Sequence, residues 1–364
     1  MRVVVKIGTS SLTDANGAIE VRAVAKVAEE VAGLRRNGHE VVVVSSGAVA
    51  SGMPALGWGA DERPRDARTL QALSAVGQAR LVQTWNESLA AHGLVAGQVL
   101  LAPLDFMVRA QYLQARGTLD RLLELGVVPI VNENDAVADD ELRFGDNDRI
   151  AALVAQLLGA ELLVLLTDAP GLMDADPRVV TGASLIEEIV EVDHQLEALA
   201  GGAGSARGSG GMSSKLAAAK MASWSGVRAV IAAADRPSVL ADAVEGVAGV
   251  GTVVVPRDRR LPARKLWIAF ALPAEGRVTI DEGAVAAITS GGRSLLAAGV
   301  VEVIGTFAAD DAVEILDPTG AVVAKGLVRV GAARLRAMAG RRSHELSEGE
   351  GEVVHRDDLV VLPR

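Results

Sequence analysis

Val127-Val128-Pro129-Ile130-Val131-Asn132-Glu133-Asn134-Asp135, followed a few residues on by Gly145-Asp146-Asn147-Asp148, is the stretch around which the rest of the chain can be ordered. Five bounded apolar residues, Val127 to Val131, predict a buried strand. In an open α/β sheet, ligands sit just beyond the carboxyl ends of the strands. The polar residues from Asn132 onward therefore fall where a small-molecule site is expected. Plainer readings stand beside that one. Asp146 or Asn147 caps the helix predicted over residues 150–158, and residues 132–135 form an ordinary turn. A calcium loop is disfavoured, because Asp146-Asn147-Asp148 lacks the Gly and the distal Glu of an EF-hand.

The same pattern recurs on both sides of this stretch. Val3-Val4-Val5 predicts a strand running into Lys6-Ile7-Gly8-Thr9-Ser10-Ser11. Small, hydroxyl-bearing residues at a strand end offer N–H and O–H donors to a phosphate. Lys6 would reach the same anion, although a lysine is also what an edge strand carries. Residues 21–37 place Val24, Val27, Ala28, Val31 and Leu34 at helical spacing, with Gly38 as the stop. Residues 41–44 predict a second strand, ending in Ser45-Ser46-Gly47-Ala48. Strand, helix, strand implies a parallel pair with a right-handed crossover, so both strands deliver small polar loops to one edge of the sheet. Beyond a Gly- and Pro-punctuated loop, residues 66–92 read as helix, 94–101 as strand and 111–125 as helix. Asp139, Asp140 and Glu141 read as solvated loop. Residues 161–166 predict a further strand, ending at Thr167-Asp168.

Residues 200–211 contain six Gly, with Arg207 among them, and lead into Met212-Ser213-Ser214-Lys215 and an Ala-rich helix. The early glycines read as a flexible surface loop. Ser213 or Ser214 is expected to cap the helix. Lys215 then falls in the first turn, where the helix dipole disfavours a cation. A bound anion would resolve that conflict, because helix N-termini bind phosphate. The segment is not a P-loop, since the Gly-x-x-x-x-Gly-Lys-Ser/Thr spacing is missing. Residues 227–232, 237–247 and 252–255 continue the alternation. Residues 256–273 are basic and Pro-punctuated, and read as linker or inter-domain surface. After Pro273 short β-like runs punctuated by Gly suggest a small barrel. The expected domains are residues 1–256 and 274–364, with 257–273 as the linker.

Composition narrows the function classes. The chain has 364 residues, enough for two or three domains, and half are hydrophobic. There is no Cys, which excludes disulfides and cysteine metal sites, and five scattered His disfavour a zinc site. A net charge of −10 argues against general nucleic-acid binding. No apolar run approaches the roughly 18 residues of a membrane helix. Met1-Arg2-Val3-Val4-Val5-Lys6 is too short, and too soon interrupted by Lys6, for a signal peptide. The expectation is a cytoplasmic protein with no membrane contact.

The assembled loops resemble those of the glutamate 5-kinases, enzymes of the amino-acid-kinase fold with a C-terminal PUA domain. The matching pieces are Val5-Lys6-Ile7-Gly8-Thr9-Ser10, Ser45-Ser46-Gly47-Ala48, Val131-Asn132-Glu133-Asn134-Asp135, Phe144-Gly145-Asp146-Asn147-Asp148, Leu166-Thr167-Asp168 and Gly210-Gly211-Met212-Ser213-Ser214-Lys215. Asp281-Glu282-Gly283-Ala284 resembles the opening of the PUA region. The resemblance spans essentially the whole chain. It implies an α/β fold, an αβα sandwich with a largely parallel sheet, plus a small β-rich PUA pseudo-barrel.

It also implies an activity: ATP-dependent phosphorylation of the side-chain carboxylate of L-glutamate to L-glutamyl 5-phosphate and ADP, the first step of proline biosynthesis. ATP would be the co-substrate and Mg2+ the accompanying ion. Carried over position by position, Lys6, Lys215 and Asp148 are the catalytic residues, with Asp148 orienting the lysines. Ser46, Gly47, Ala48, Asn132, Asp135 and Asn147 would hold glutamate. Lys6, Gly8, Thr9, Ser10, Thr167, Asp168, Ser209, Gly210, Gly211, Met212, Ser213, Ser214 and Lys215 would hold nucleotide. No residue is assigned as a metal ligand. Ser209 and Ser214 stand where the family has Thr, Arg143 where Lys is common, and Met173 where Tyr is common. Inhibition by proline at the glutamate site, homo-oligomers, and transfer of the labile acyl phosphate to a glutamyl-phosphate reductase are further implications. The chemistry fits: a carboxylate with an ordinary pKa of about 4.3 is ionised at pH 7, so no general base is needed, and positive charge and positioning must supply the catalysis.

Two other readings compete. A kinase of the same fold would act on aspartate, acetylglutamate or a nucleoside monophosphate. RNA binding would use Arg329, Arg334, Arg336, Arg341 and Arg342, but residues 275–364 carry 10 Lys+Arg against 14 Asp+Glu, and aromatics for base stacking are scarce.

Overall fold

Val3, Val4 and Val5 have no exposed surface. Three consecutive β-branched residues buried on both faces belong in the interior of a sheet. The structure is a computed structural model describing all residues except 15, 60–61, 138–146, 177–179, 202–210, 259, 271, 343–344, 347–350 and 363–364. The chain divides into two compact units, Met1–Arg260 and Leu261–Arg364.

The first unit runs β1 (Arg2–Ile7), α1 (Val21–Arg36), β2 (Glu40–Ser45), α2 (Ala48–Gly52), α3 (Ala67–Ala90), β3 (Ala96–Leu101), α4 (Arg109–Glu124), β4 (Val128–Glu133), α5 (Asn147–Leu158), β5 (Leu162–Thr167), β6 (Glu188–Ile189), α6 (His194–Ala200), α7 (Met212–Trp224), β7 (Arg228–Ala233), α8 (Val239–Glu245) and β8 (Thr252–Val254). Its sheet has the order β3-β4-β2-β1-β5-β7-β8-β6. The pairings from β3 to β7 are parallel, and β7 and β8 pair antiparallel.

Side chains alternate across a strand, and this decides which residues meet which helices. Val3, Val5 and Ile7 of β1, Val41 and Val43 of β2, Val128 and Ile130 of β4, and Leu162, Val164 and Leu166 of β5 share one core with α1, α3 and α8. That core takes Val24, Val27 and Val31 from α1 and Leu81, Trp85 and Leu89 from α3. Each buried Val or Leu contributes about 1.5–3 kcal/mol. Lys6 lies between Val5 and Ile7, so it points to the opposite face, where α5 lies against β1 and packs on α7. By the same alternation Asn132 points towards α3, while Glu133 and Thr167 point towards α5 and α7. Among the described residues, no helix is long and apolar enough to cross a membrane.

The second unit holds α9 (Ala263–Phe270), β9 (Gly276–Ile280), α10 (Glu282–Thr289), β10 (Leu295–Leu296), β11 (Val300–Gly305), β12 (Ala312–Leu316), β13 (Val322–Leu327), α11 (Ala332–Met338), β14 (Glu352–Val354) and β15 (Leu359–Val361). A five-stranded sheet, order β11-β9-β12-β13-β15, stands beside a β10-β14 pair. Val278, Ile280, Val313, Ile315, Val323 and Leu335 belong to its core. The stretch expected as linker contains α9, which packs on β13 and β15. Helices α10 and α11 interrupt the expected run of β segments. The Asp281 carboxylate accepts from the Ala284 N–H at 2.7 Å and starts α10, a cap that the β-like texture concealed.

Candidate active site

The register brings the strand ends level. Lys6 lies opposite Val44 and Leu165, and Val44 opposite Val131. Lys6 Nζ lies 2.7 Å from Asp148 Oδ1, and Lys215 Nζ lies 3.3 Å from Asp148 Oδ2. Ser214 Oγ is 2.6 Å from the same Oδ2 and 2.9 Å from the Gly211 carbonyl oxygen. The Asp148 side chain is 1% exposed, and those of Lys6 and Lys215 are 5% and 7% exposed. Burial on its own would push the Asp148 carboxyl up. The charges of Lys6 and then Lys215, with hydrogen bonds from Lys6 and Ser214, outweigh it and hold the carboxyl below its ordinary value. Asp148 is also in the first turn of α5, where the helix dipole favours a carboxylate.

These three side chains together carry an excess of one positive charge. Gly8 borders the cluster: a Cβ there would sit 3.4 Å from Lys6 Nζ, an ordinary contact. Helix α7 opens beside the cluster. Its N-cap is Gly211, with no side-chain cap hydrogen bond. The first N–H groups of a helix lack intrahelical acceptors, so this end of α7 is a ready anion site next to two ammonium groups.

A second network lies on the β2 and β4 side. The Glu133 backbone N–H donates to Asn132 Oδ1 at 2.9 Å and to Asn147 Oδ1 at 3.1 Å. Asn147 Nδ2 donates to Ser46 Oγ at 3.3 Å, and Asn132 Nδ2 donates to Gln78 Oε1 on α3 at 2.8 Å. Ser74, one turn before Gln78, donates to Asp135 Oδ2 at 2.6 Å. Burial pushes the Asp135 carboxyl above its ordinary value, and the Ser74 hydrogen bond only partly offsets it. Trp85, further along the same helix, donates to Ser45 Oγ at 2.9 Å. Gly47 turns the chain between β2 and α2 with φ +108°, and a Cβ there would meet Ile19 at 2.9 Å.

The amino acid kinase family matches residues 1–233 and the PUA domain matches residues 276–349. A glutamate 5-kinase from Burkholderia mallei is 46% identical over 366 residues, covering 99% of this chain and 98% of that one. A glutamate 5-kinase from Nitrosospira multiformis gives the same figures. The chain belongs to the glutamate 5-kinase family. Among solved structures, carbamate kinase from Giardia lamblia bound to AMP-PNP is 18% identical, with a TM-score of 0.50 over 70% of this chain and 98% of that one, a likeness of fold.

Of the positions expected in a glutamate 5-kinase site, the structure gathers Lys6, Asp148, Ser214 and Lys215 into one cluster and Ser46, Asn132 and Asn147 into one hydrogen-bond chain. Asp135 stands on the Ser74 side of α3. Ala48 opens α2 directly after Gly47. Gly8, Thr9 and Ser10 form the short turn after β1. Thr167 ends β5 and its hydroxyl donates to the exposed Asp168 at 3.1 Å. Met212 and the exposed Ser213 begin α7 after Gly211. Ser209 and Gly210, with Arg143, Phe144, Gly145 and Asp146, lie outside the described residues.

Several expectations are corrected. Neither Ser213 nor Ser214 caps α7: Gly211 takes the cap position, which frees the Ser214 hydroxyl for Asp148. The misplaced charge of Lys215 is met by Asp148 rather than by a bound anion alone. Asn147 does not cap α5: its amide is engaged by Glu133 and Ser46. Ser74, Gln78 and Trp85 were not anticipated. The available signal was polar residues at helical spacing on the same buried face as Leu81 and Leu89, since buried polar side chains need partners.

Proposed function

We propose that this chain transfers the γ-phosphoryl group of ATP to the side-chain carboxylate of L-glutamate, giving L-glutamyl 5-phosphate and ADP, the first step of proline biosynthesis. Full-length likeness to curated glutamate 5-kinases carries this reading, and the buried lysine pair supplies its chemistry. One carboxylate oxygen of the substrate attacks the γ-phosphorus. The new P–O bond forms as the bond to the β,γ-bridging oxygen breaks and ADP leaves. No proton has to move, which suits a site whose central groups are two lysines and one ionised aspartate.

Anion must approach anion, so the barrier is electrostatic. Lys6 and Lys215 sit on opposite oxygens of Asp148, which fixes the spacing of two positive charges around the transferring group. The α7 N-terminus adds backbone donors for the nucleotide phosphates. Both oxygens of Asp148 are already engaged by Lys6, Lys215 and Ser214, so Mg2+ accompanying ATP would be held chiefly by phosphate oxygens and water. Asp135, buried and bonded to a neutral hydroxyl, is the group suited to the substrate ammonium. Ser46 and Asn147 would face the substrate from the β2 and α5 sides. We assign catalysis to residues 1–256 and the PUA-like unit to 274–364. We further place the enzyme in the cytoplasm as a homo-oligomer, inhibited by proline at the glutamate site and passing its labile product to a reductase.

The test is ATP-dependent acyl-phosphate formation, trapped with hydroxylamine, across L-glutamate, L-aspartate and N-acetyl-L-glutamate. Hydroxamate from L-glutamate alone is the expected result. Hydroxamate from another acid and none from glutamate would overturn the substrate.

A further inference from the structure

We propose that helix α3 reads the head group of the substrate amino acid, and that Gln78 is a specificity-determining donor to its α-carboxylate. This rests on L-glutamate being the acceptor.

The argument starts from a donor that cannot be turned round. The Glu133 backbone N–H is shared between Asn132 Oδ1 at 2.9 Å and Asn147 Oδ1 at 3.1 Å. Both amides must therefore present oxygen to Glu133, so both NH2 groups point away. Asn132 Nδ2 then donates to Gln78 Oε1 at 2.8 Å, which fixes the Gln78 amide as well. Asn147 Nδ2 donates to Ser46 Oγ at 3.3 Å, which leaves the Ser46 proton free for another acceptor. A single peptide N–H thus sets the polarity of the whole chain of groups, and both of its ends are donors. Gln78 is 8% exposed, and its Nε2 has no hydrogen-bond partner among the described residues. A buried donor without an acceptor is costly. An anionic oxygen would satisfy it.

Which carboxylate it takes follows from its neighbours. Ser46 is linked through Asn147 to the end of α5 where Asp148 meets Lys6 and Lys215, and there the reacting carboxylate must lie. Gln78 is one helical turn from Ser74, whose hydroxyl holds Asp135 at 2.6 Å. Residues four apart on a helix have Cβ atoms roughly 6 Å from each other. An α-amino acid carries its ammonium and its α-carboxylate on one carbon, and so matches an acceptor and a donor at that separation. The helix is held rigidly enough to discriminate. A Cβ on Gly77 would lie 1.8 Å from the Ala48 carbonyl oxygen, and one on Gly52 would lie 2.0 Å from the Leu73 carbonyl oxygen. Helices α2 and α3 therefore cross backbone on backbone, and Trp85 ties α3 to Ser45.

The experiment is steady-state kinetics of Gln78→Leu, with glutarate and 4-aminobutyrate as competitive inhibitors. Glutarate keeps both carboxylates and lacks the ammonium. 4-Aminobutyrate keeps the ammonium and the reacting carboxylate and lacks the α-carboxylate. Loss of one hydrogen bond to a charged group predicts a rise of roughly 10- to 100-fold in KM for L-glutamate. The same loss is expected in glutarate affinity, with 4-aminobutyrate affinity and KM for ATP unchanged; the melting temperature should fall, because Asn132 Nδ2 loses its acceptor as well. An unchanged KM for glutamate, or equal losses for both analogues and for ATP, overturns the assignment. Gln78→Glu keeps an oxygen for Asn132 and replaces the donor by an acceptor. It is expected to raise KM for glutamate further, and a normal KM overturns the proposal even if Gln78→Leu does not fold. No hydroxamate from the parent enzyme with L-glutamate would instead defeat the underlying substrate reading, which the variants do not touch.

Discussion

Asp148→Asn keeps the shape of the side chain and removes one negative charge from between two ammonium groups. In the parent those groups lie 2.7 and 3.3 Å from the two oxygens of a carboxylate that is 1% exposed. At an effective dielectric constant of about 20, the gross attraction is about 6 kcal/mol for the Lys6 pair and about 5 kcal/mol for the Lys215 pair. Desolvation removes part of that, and breaking a buried pair costs about 3–5 kcal/mol net. The expected loss of stability is therefore about 3–5 kcal/mol in urea denaturation at pH 7. Turnover should fall by at least about 100-fold, because the lysines lose the group that spaces them. The acid side gives an independent reading. The fold holds the Asp148 carboxyl below its ordinary value, so its contribution is present above the unfolded pKa and is lost as pH falls through the folded pKa. The gap between parent and variant should narrow across that acid window. A gap that does not change with pH, or turnover within about threefold of the parent against the large loss expected on electrostatic grounds, would refute this account of the site.

Lys215→Ala should lower turnover by two or more orders of magnitude while leaving the melting temperature close to the parent, because Asp148 keeps Lys6 and Ser214; near-normal turnover in the hydroxamate assay would remove Lys215 from the mechanism. Gly77→Ala drives a Cβ to 1.8 Å from the Ala48 carbonyl oxygen and 2.4 Å from the Gly52 nitrogen, both backbone atoms, and should cost about 3 kcal/mol or more in urea denaturation; an unshifted midpoint would contradict the close crossing. Asp135→Asn should raise KM for L-glutamate and also raise the melting temperature at neutral pH. The Asp135 carboxyl is pushed up by burial, so its ionisation costs stability as pH rises through the folded pKa, and the amide carries no such cost; a variant that is both less stable and unchanged in KM would count against the ammonium-binding role.

The sheet was legible because its strands are short apolar runs, Val3-Val4-Val5 and Val127 to Val131 among them, each ending abruptly in polar residues. Strand order was not, since nothing local in β8 signals that it runs against β7. The lysine cluster was half-legible. Lys6 and Lys215 stood out by position, but Asp148 looked as much like a helix cap as a counter-ion, and only the pairing of β1 with its neighbours brings them within 3.3 Å. The role of α3 was hidden for a different reason. Ser74 and Gln78 are ordinary residues in a long helix, and their meaning depends on contacts with Asp135 and Asn132, about 60 residues away in sequence. The expected serine cap fails because the helix already begins at Met212, with Gly211 at the cap position, which puts both serines inside the first turn.

Strand β1 is the seam of the sheet, with β2, β4 and β3 on one side and β5 and β7 on the other. The residues assigned to the phosphoryl acceptor come from Ser46 to Asn147, and those assigned to the donor, Lys6 and its turn apart, from Thr167 to Lys215. Each half is thus one uninterrupted run of chain with its own framework. Recombination between two relatives at a point late in α5 would exchange the acceptor half as a single inherited block. The crossing of α2 on α3, the Trp85 anchor and the amide chain would travel together with the specificity they support. Lys6, its turn and Asp148 would travel with that block, so the only donor residues it leaves behind are those from Thr167 to Lys215.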